Sequence, residues 1–177
     1  MSLHADAVDV LTHWQAPTAE QDRLRATYAD HLAEHDDGHR RSCFPAHLTA
    51  GALVLSHDRR HVLLNLHSKA RRWFHFGGHL EPDDLTLAGA ALREATEESG
   101  LTGLQVEADP LHLSTHAVEF CGSGSADHLD VRFLAVLGED TEPRASEESL
   151  DVRWWPVDAL PTDEPDMVEL IALALRR

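Results

Sequence analysis

Residues 77–101 read GGHLEPDDLTLAGAALREATEESGL, and the reading of this stretch decides the fold. It carries six acidic residues and, counting His79 beside Arg93, two basic ones, around a middle rich in alanine and leucine. The spacing predicts a helix over 85–99, closed by Gly100 as a left-handed C-terminal cap. At about 100° per residue, Glu98 lies about 40° to one side of Glu94 and Glu97 about 60° to the other. Leu85, Ala88, Leu92, Ala95 and Ser99 fall in a band on the opposite side. The helix therefore reads as an apolar back with a carboxylate front. Those carboxylates sit at the negative end of the helix dipole and repel one another, so stability alone does not select them.

A hard divalent cation does. Mg²⁺ takes oxygen ligands and usually keeps waters and substrate phosphate oxygens in its shell. Convergent carboxylates from Glu94, Glu97 and Glu98 supply charge without closing that shell. The upstream pair Gly77-Gly78 permits close backbone approach, so a carbonyl from Gly77 or Gly78 can join them. Arg93 lies about 100° from Glu94 and is read as pointing beside the cluster, where it holds a neighbouring acid such as Asp84 and orients the loop.

Outward from the helix, HLTAGALVLS (47–56) and HVLLNLH (61–67) are strand-like runs joined by the turn HDRR, a hairpin. RWFHF (72–76) is a short extended lead into Gly77. LTGLQVEADPLHLSTHAVEF gives one or two strands, HLDVRFLAVLG (128–138) a strand, and LDVRWWPV (150–157) a strand stopped by Pro156. CGSGSAD (121–127) and EDTEPRASEES (139–149) read as loops. DEPDMVELIALALRR closes the chain as a helix with Met167, Leu170, Ile171 and Ala174 on one side. Residues 1–42 read as a helical extension of two short helices, in which Thr18 and Gln21 have the spacing of a capping box and Leu24, Tyr28 and Leu32 step by four. The expected organisation is this extension followed by a domain over 43–177, of class α/β or α+β.

Composition bounds the function. The chain has 177 residues, 42% hydrophobic and 26% charged, enough for one domain with a full core. A formal charge of −16 repels a polyphosphate backbone, which argues against a nucleic-acid polymer as partner. No apolar run approaches the length needed to span a bilayer, and the acidic N-terminus does not read as a signal peptide, so no membrane partner and a cytoplasmic location are expected. Cys43 and Cys121 show no zinc-ribbon spacing and read as free thiols. The fourteen histidines are scattered and read mainly as surface or supporting groups.

The whole pattern resembles the Nudix box. The motif runs Gly, five residues, Glu, seven residues, Arg-Glu, an apolar residue, one residue, Glu-Glu, one residue, Gly, an apolar residue. Here Gly78 is followed after five residues by Asp84, then by eight residues, then by Arg93-Glu94-Ala95-Thr96-Glu97-Glu98-Ser99-Gly100-Leu101. Asp84 thus stands in place of the loop Glu, and the spacer is one residue longer. The resemblance extends over about 47–162 through the hairpin and the late strand. It implies an α/β/α sandwich with a mixed central sheet. It also implies an enzyme that hydrolyses the diphosphate linkage of a nucleoside diphosphate joined to another group, with Mg²⁺ or alternatively Mn²⁺. Carried over residue by residue, Glu94 and Glu98 bind metal, Glu97 binds directly or through water, the Gly77 or Gly78 carbonyl assists, and Arg93 orients. A further acid from the loop before the late strand, Glu147 or Glu148, is a candidate base. Lys69, Arg71 and Arg72 are candidates to meet substrate phosphates, and Trp73 or Phe74 to stack on a base. His79, His116, His128 and Asp130 could gather near the site and bind phosphate or a softer metal. The expected partner is a small phosphorylated, nucleotide-derived substrate, with a homodimer as the expected assembly. Two rival readings are a non-catalytic sensor or regulator on this fold and a relative of isopentenyl-diphosphate isomerase. The second needs a cysteine near the position of Gly77, and neither Cys43 nor Cys121 is close to it in sequence.

Overall fold

The apolar run at 46–55 becomes the spine of the sheet. In a computed structural model, which describes residues 2–121, 124–138, 141–146 and 149–177, β1 (Ala46–Leu55) is buried from His47 onward. It pairs in parallel along its whole length with β7 (Gly124–Leu137), from Ala46↔Asp127 to Leu55↔Val136. On its other side, β4 (Phe76–His79) pairs with Thr49–Ala52 in the middle of β1 and β2 (His61–His67) with the last two residues. Beyond β7 lie β5 (Leu104–Val106) and β6 (His112–Cys121); beyond β2 lie β3 (Trp73–Phe74) and β8 (Ser149–Pro156). All pairs but β1·β7 are antiparallel, so the sheet is mixed.

A strand between two covered faces is apolar on both. Leu48, Ala50, Ala52 and Val54 of β1 join Val131, Phe133 and Ala135 of β7 in the core beneath α3 (Leu87–Ser99), α1 (Leu3–His13) and α2 (Ala19–Glu34). Leu53, Leu55, Leu64 and Leu134 face the other way, onto Met167, Leu170, Ile171 and Ala174 of α4 (Pro165–Ala174). The result is the α/β/α sandwich that the resemblance implied. Among the described residues no helix is long and apolar enough to cross a membrane.

Three local readings change. The stretch 121–127 is not a loop where it is described: Cys121 ends β6, residues 124–127 open β7, and Cys121 pairs with Gly124. Pairing with a long neighbouring strand overrides the turn-like composition. The helix starts two residues later than predicted, because Thr86 is its N-cap and accepts from the Gly89 amide at 3.0 Å. Leu85 therefore lies outside it and is exposed, and the buried stripe is Leu87, Ala90, Ala91, Ala95 and Ser99. Thr18 does cap α2 through the Gln21 amide, yet the Gln21 side chain does not return to close a capping box.

That side chain does something else. Its Nε2 donates to the Leu113 carbonyl at 2.9 Å, and its Oε1 accepts from the Leu113 amide at 2.7 Å. Gln21 so mimics a neighbouring strand on the outer edge of β6. Tyr28 meets Thr115 at 3.2 Å on the same strand, and Asp6 of α1 accepts from the Leu87 amide at 2.8 Å, an otherwise orphaned donor of α3. The N-terminal helices share one core with the sheet and hold the helix that carries the acidic ridge. Replacing Gln21 by Ala leaves two buried backbone groups unpaired. The expected cost is about 2–4 kcal/mol, read as a lower urea midpoint at unchanged slope.

Candidate active site

The last turns of α3 lie over β4. Glu98 Oε2 accepts from the Gly77 amide at 3.0 Å, and Oε1 accepts from Asn65 Nδ2 at 3.4 Å. Glu94 rests on Gly78 so closely that a Cβ there would stand 2.7–2.9 Å from its carboxyl atoms. A side chain at 78 would push the Glu94 carboxyl off this seat. Gly100, at φ +67°, ends the helix as the left-handed cap that the sequence predicts. Glu97 is the exposed member of the ridge, its side chain 60% accessible against 15% for Glu94.

Arg93 binds Asp84 with both ends of its fork, Nε to Oδ1 at 3.1 Å and Nη2 to Oδ2 at 2.9 Å. Nη2 also donates to the His79 carbonyl at 3.0 Å. The expected partnership with Asp84 is present, and the expectation that Arg93 avoids the ridge is not met. Nη1 reaches Glu94 at 3.0 Å and Glu97 at 3.3 Å. A helical azimuth fixes the Cβ and not the end of a long side chain with five donors. The Asp84 hydrogen bond, opposed by burial, raises the already high pKa of the guanidinium, which stays charged. Burial pushes the Asp84 carboxyl up, but Arg93 and the Glu81 amide outweigh it and hold the group below its ordinary value. For Glu94 burial wins over Arg93, and its carboxyl is raised.

The ridge forms one wall of a cleft of about 460 Å³, floored by Gly77 and Gly78. Arg41, Glu81, His79 and Ser146 complete it. Convergent hard oxygens suit Mg²⁺ or Mn²⁺, and a cation in the cleft would offset the burial that raises Glu94 despite Arg93. Glu94, Glu97 and Glu98 fit such an ion. The Gly77 amide points to Glu98 and away from β1, and in a strand the carbonyl of the same residue turns the same way; the Gly78 groups then face β1. Gly77 is the better carbonyl donor of the pair.

Other candidates lie elsewhere. Glu147 and Glu148 are outside the described residues. Their neighbour Ser146 lines the cleft, and the Arg144 amide ties that loop to α3 through the Ser99 carbonyl at 2.7 Å. Arg72 is engaged by Glu164 at 2.7 Å, Lys69 and Arg71 are exposed, and none of the three lines the cleft. Trp73 and Phe74 pack against the α4 core, Trp73 edge-on to Trp155 at 5.2 Å. His116 and His128 do pair across β6·β7, with rings 5.4 Å apart. Asp130 is held by other partners, apart from these histidines. It is buried with Thr49 at 3.0 Å, Arg132 at 2.8 Å and His75 at 3.2 Å, and Arg132 continues to Asp166 at 2.6 Å. Arg41, Ser146, His47 and Cys121 were not singled out by the sequence. Period-two spacing in HLT (47–49) and HLD (128–130) places His47 with Thr49 and His128 with Asp130 on one sheet face, a signal that was there to be read. Cys121 gave none, since it sat in a stretch read as loop. His47, His79 and His128 instead gather around it, at 3.7, 3.3 and 3.4 Å from Nε2 to Sγ. Burial lowers all three imidazoles, His79 to about 4 and His128 to about 3, so they are neutral near pH 7.

A family model described as the NUDIX domain matches residues 45–174. No curated protein sequence matches. Among solved structures, the fold is shared with a NUDIX-family hydrolase from Clostridium perfringens, at 24% identity and TM-score 0.56, over 74% of this chain and 98% of that one. An Ap4A hydrolase from C. elegans, in a binary complex, aligns at 22% identity and TM-score 0.54, over 73% and 93%. The NUDIX domain of Shewanella oneidensis NrtR, complexed with ADP ribose, aligns at 22% identity and TM-score 0.58, over 84% and 97%.

The Arg93–Asp84 pair has a pH signature. Because the folded pKa of Asp84 is depressed, its contribution is present above the ordinary carboxylate range and is lost as pH falls through the lower folded value. Asp84→Asn is expected to cost about 1–3 kcal/mol at pH 7. The gap from the parent should close on acidification, followed by denaturant melts across the acid range.

Proposed function

The chain belongs to the NUDIX family, whose hydrolases act on diphosphate bonds, and from that premise we propose that it cleaves the diphosphate linkage of a small nucleoside diphosphate derivative with Mg²⁺ or Mn²⁺. The observation that carries the reading is the ridge of Glu94, Glu97 and Glu98 pinned over Gly77 and Gly78 on the wall of a cleft. The nucleotide part rests on company: structures sharing the fold include the Ap4A hydrolase and the domain complexed with ADP ribose.

Glu94 and Glu98 would hold the ion with the Gly77 carbonyl, and Glu97 directly or through water. Bound there, the cation supplies charge neutralisation for the diphosphate, a more acidic water and stabilisation of the leaving phosphate. The chain's own groups do the rest. Glu98 is anchored to β4 by the Gly77 amide. Arg93 offsets the repulsion between Glu94 and Glu97 and keeps their oxygens together. Glu97, the most open of the three to solvent, would accept the proton of the attacking water. Arg41 lines the same cleft and would meet the outer phosphate of the substrate.

Phosphate or nucleotide release is measured over nucleoside triphosphates, nucleotide sugars, dinucleoside polyphosphates and non-nucleotide diphosphates, with Mg²⁺ and with a chelator. Metal-dependent release from a nucleotide member is expected, and Glu98→Gln should lose about 100-fold or more. Tight binding of a panel member with no release from any would replace this reading by that of a sensor. Arg41→Ala should raise KM about 10-fold while kcat stays within about 2-fold, the signature of a lost binding contact.

A further inference from the structure

We infer that the chain carries a second metal centre, separate from the acidic ridge: a Zn²⁺ ion held by His47, His79, Cys121 and His128, which fastens four strands together. The ligands come from β1, β4, β6 and β7, at one end of the sheet. Each imidazole turns its Nε2 toward one sulfur, at 3.3 Å from His79, 3.4 Å from His128 and 3.7 Å from His47. The four ligand atoms all lie within 4.8 Å of one another. A tetrahedral Zn²⁺ with bonds of about 2.3 Å to sulfur and about 2.0–2.1 Å to nitrogen has N···S edges of about 3.6 Å. The observed spacings bracket that edge.

Hydrogen-bond accounting points the same way. His47 Nδ1 lies 3.0 Å from the Cys43 carbonyl, so that nitrogen carries the proton and Nε2 presents its lone pair to the sulfur. One S–H can donate to one nitrogen only, and three imidazoles face it. A cation satisfies all four atoms at once, and the Nδ1 contact fixes the ring as ligated histidines require. His47 and Cys121 are almost fully buried, His79 and His128 partly so. Binding would release the S–H proton to solvent, and one thiolate with three neutral imidazoles forms a borderline-soft set that selects zinc over magnesium, the reverse of the all-oxygen ridge. Four protein ligands close the shell, as in structural sites. The ligands lie 32, 42 and 7 residues apart along the chain, which is why no short motif announced them.

The His79 main chain links this centre to the cleft, since its carbonyl accepts from Arg93 at 3.0 Å. Zinc here would set the position of β4, on which the ridge rests.

The test uses the full chain stripped with chelator and titrated with Co²⁺. One equivalent is expected to give the intense visible bands of tetrahedral Co²⁺ and a near-ultraviolet thiolate-to-cobalt band, both abolished by Zn²⁺ and untouched by excess Mg²⁺. Cys121→Ser should lose the thiolate band, and His128→Ala should weaken binding about 10-fold or more. Cys43→Ser and Glu98→Gln should retain the spectrum, which separates this centre from the other thiol and from the ridge. Zn²⁺ should raise the melting temperature of the parent and not of Cys121→Ser. Absence of a thiolate band in the parent, or its loss in Cys43→Ser, overturns the inference without reliance on how the Cys121 and His128 variants fold.

Discussion

The fork of Arg93 is the interaction on which the site depends. Three carboxylates on one helical face oppose folding, and a helix C-terminus is the wrong place for them. Arg93 answers with four partners at once: Asp84 in the loop, the His79 carbonyl on β4, and Glu94 and Glu97 on its own helix. It thereby joins three segments and offsets the repulsion in the same place. The loop, strand and helix of the 77–101 stretch are one electrostatic unit, and the pattern of residues along it follows from that.

Much of this was legible in the sequence. Helical periodicity and the Gly cap gave α3, and apolar runs between turn residues gave β1, β2 and β8 close to their true limits and β7 without its first four residues. Local signals read local structure well. What failed depended on distance. The Arg93 reach into the ridge needed a side-chain conformation, and Gln21 needed the knowledge that β6 passes beside α2. Arg41 comes to the cleft from a segment read as an extension outside the domain. The β6–β7 pairing converted a Gly/Ser-rich stretch into strand, and with it moved Cys121 from an anonymous loop into the centre of three imidazoles.

The sheet partitions the chemistry. Side chains alternate across a strand, so successive residues of β4 and His75 just before it serve opposite sides. Phe76 packs in the core beneath α3 and Gly78 receives Glu94, whereas His75 reaches Asp130 and His79 reaches Cys121. The same alternation puts Leu48 and Ala50 of β1 under α3 and His47 and Thr49 on the far side. Oxygen ligands thus collect above the sheet, and nitrogen and sulfur below it, with a single strand thickness between them.

The Gln21 contact with Leu113 has a consequence for how copies of the molecule can meet. An open strand edge is the usual seam along which two sheets merge into one. Here an amide side chain of the same chain already occupies both main-chain groups that such a seam would use at Leu113, and Tyr28 stands over Thr115 beside it. Any pairing of subunits that continues the sheet through Leu113 must first unseat α2.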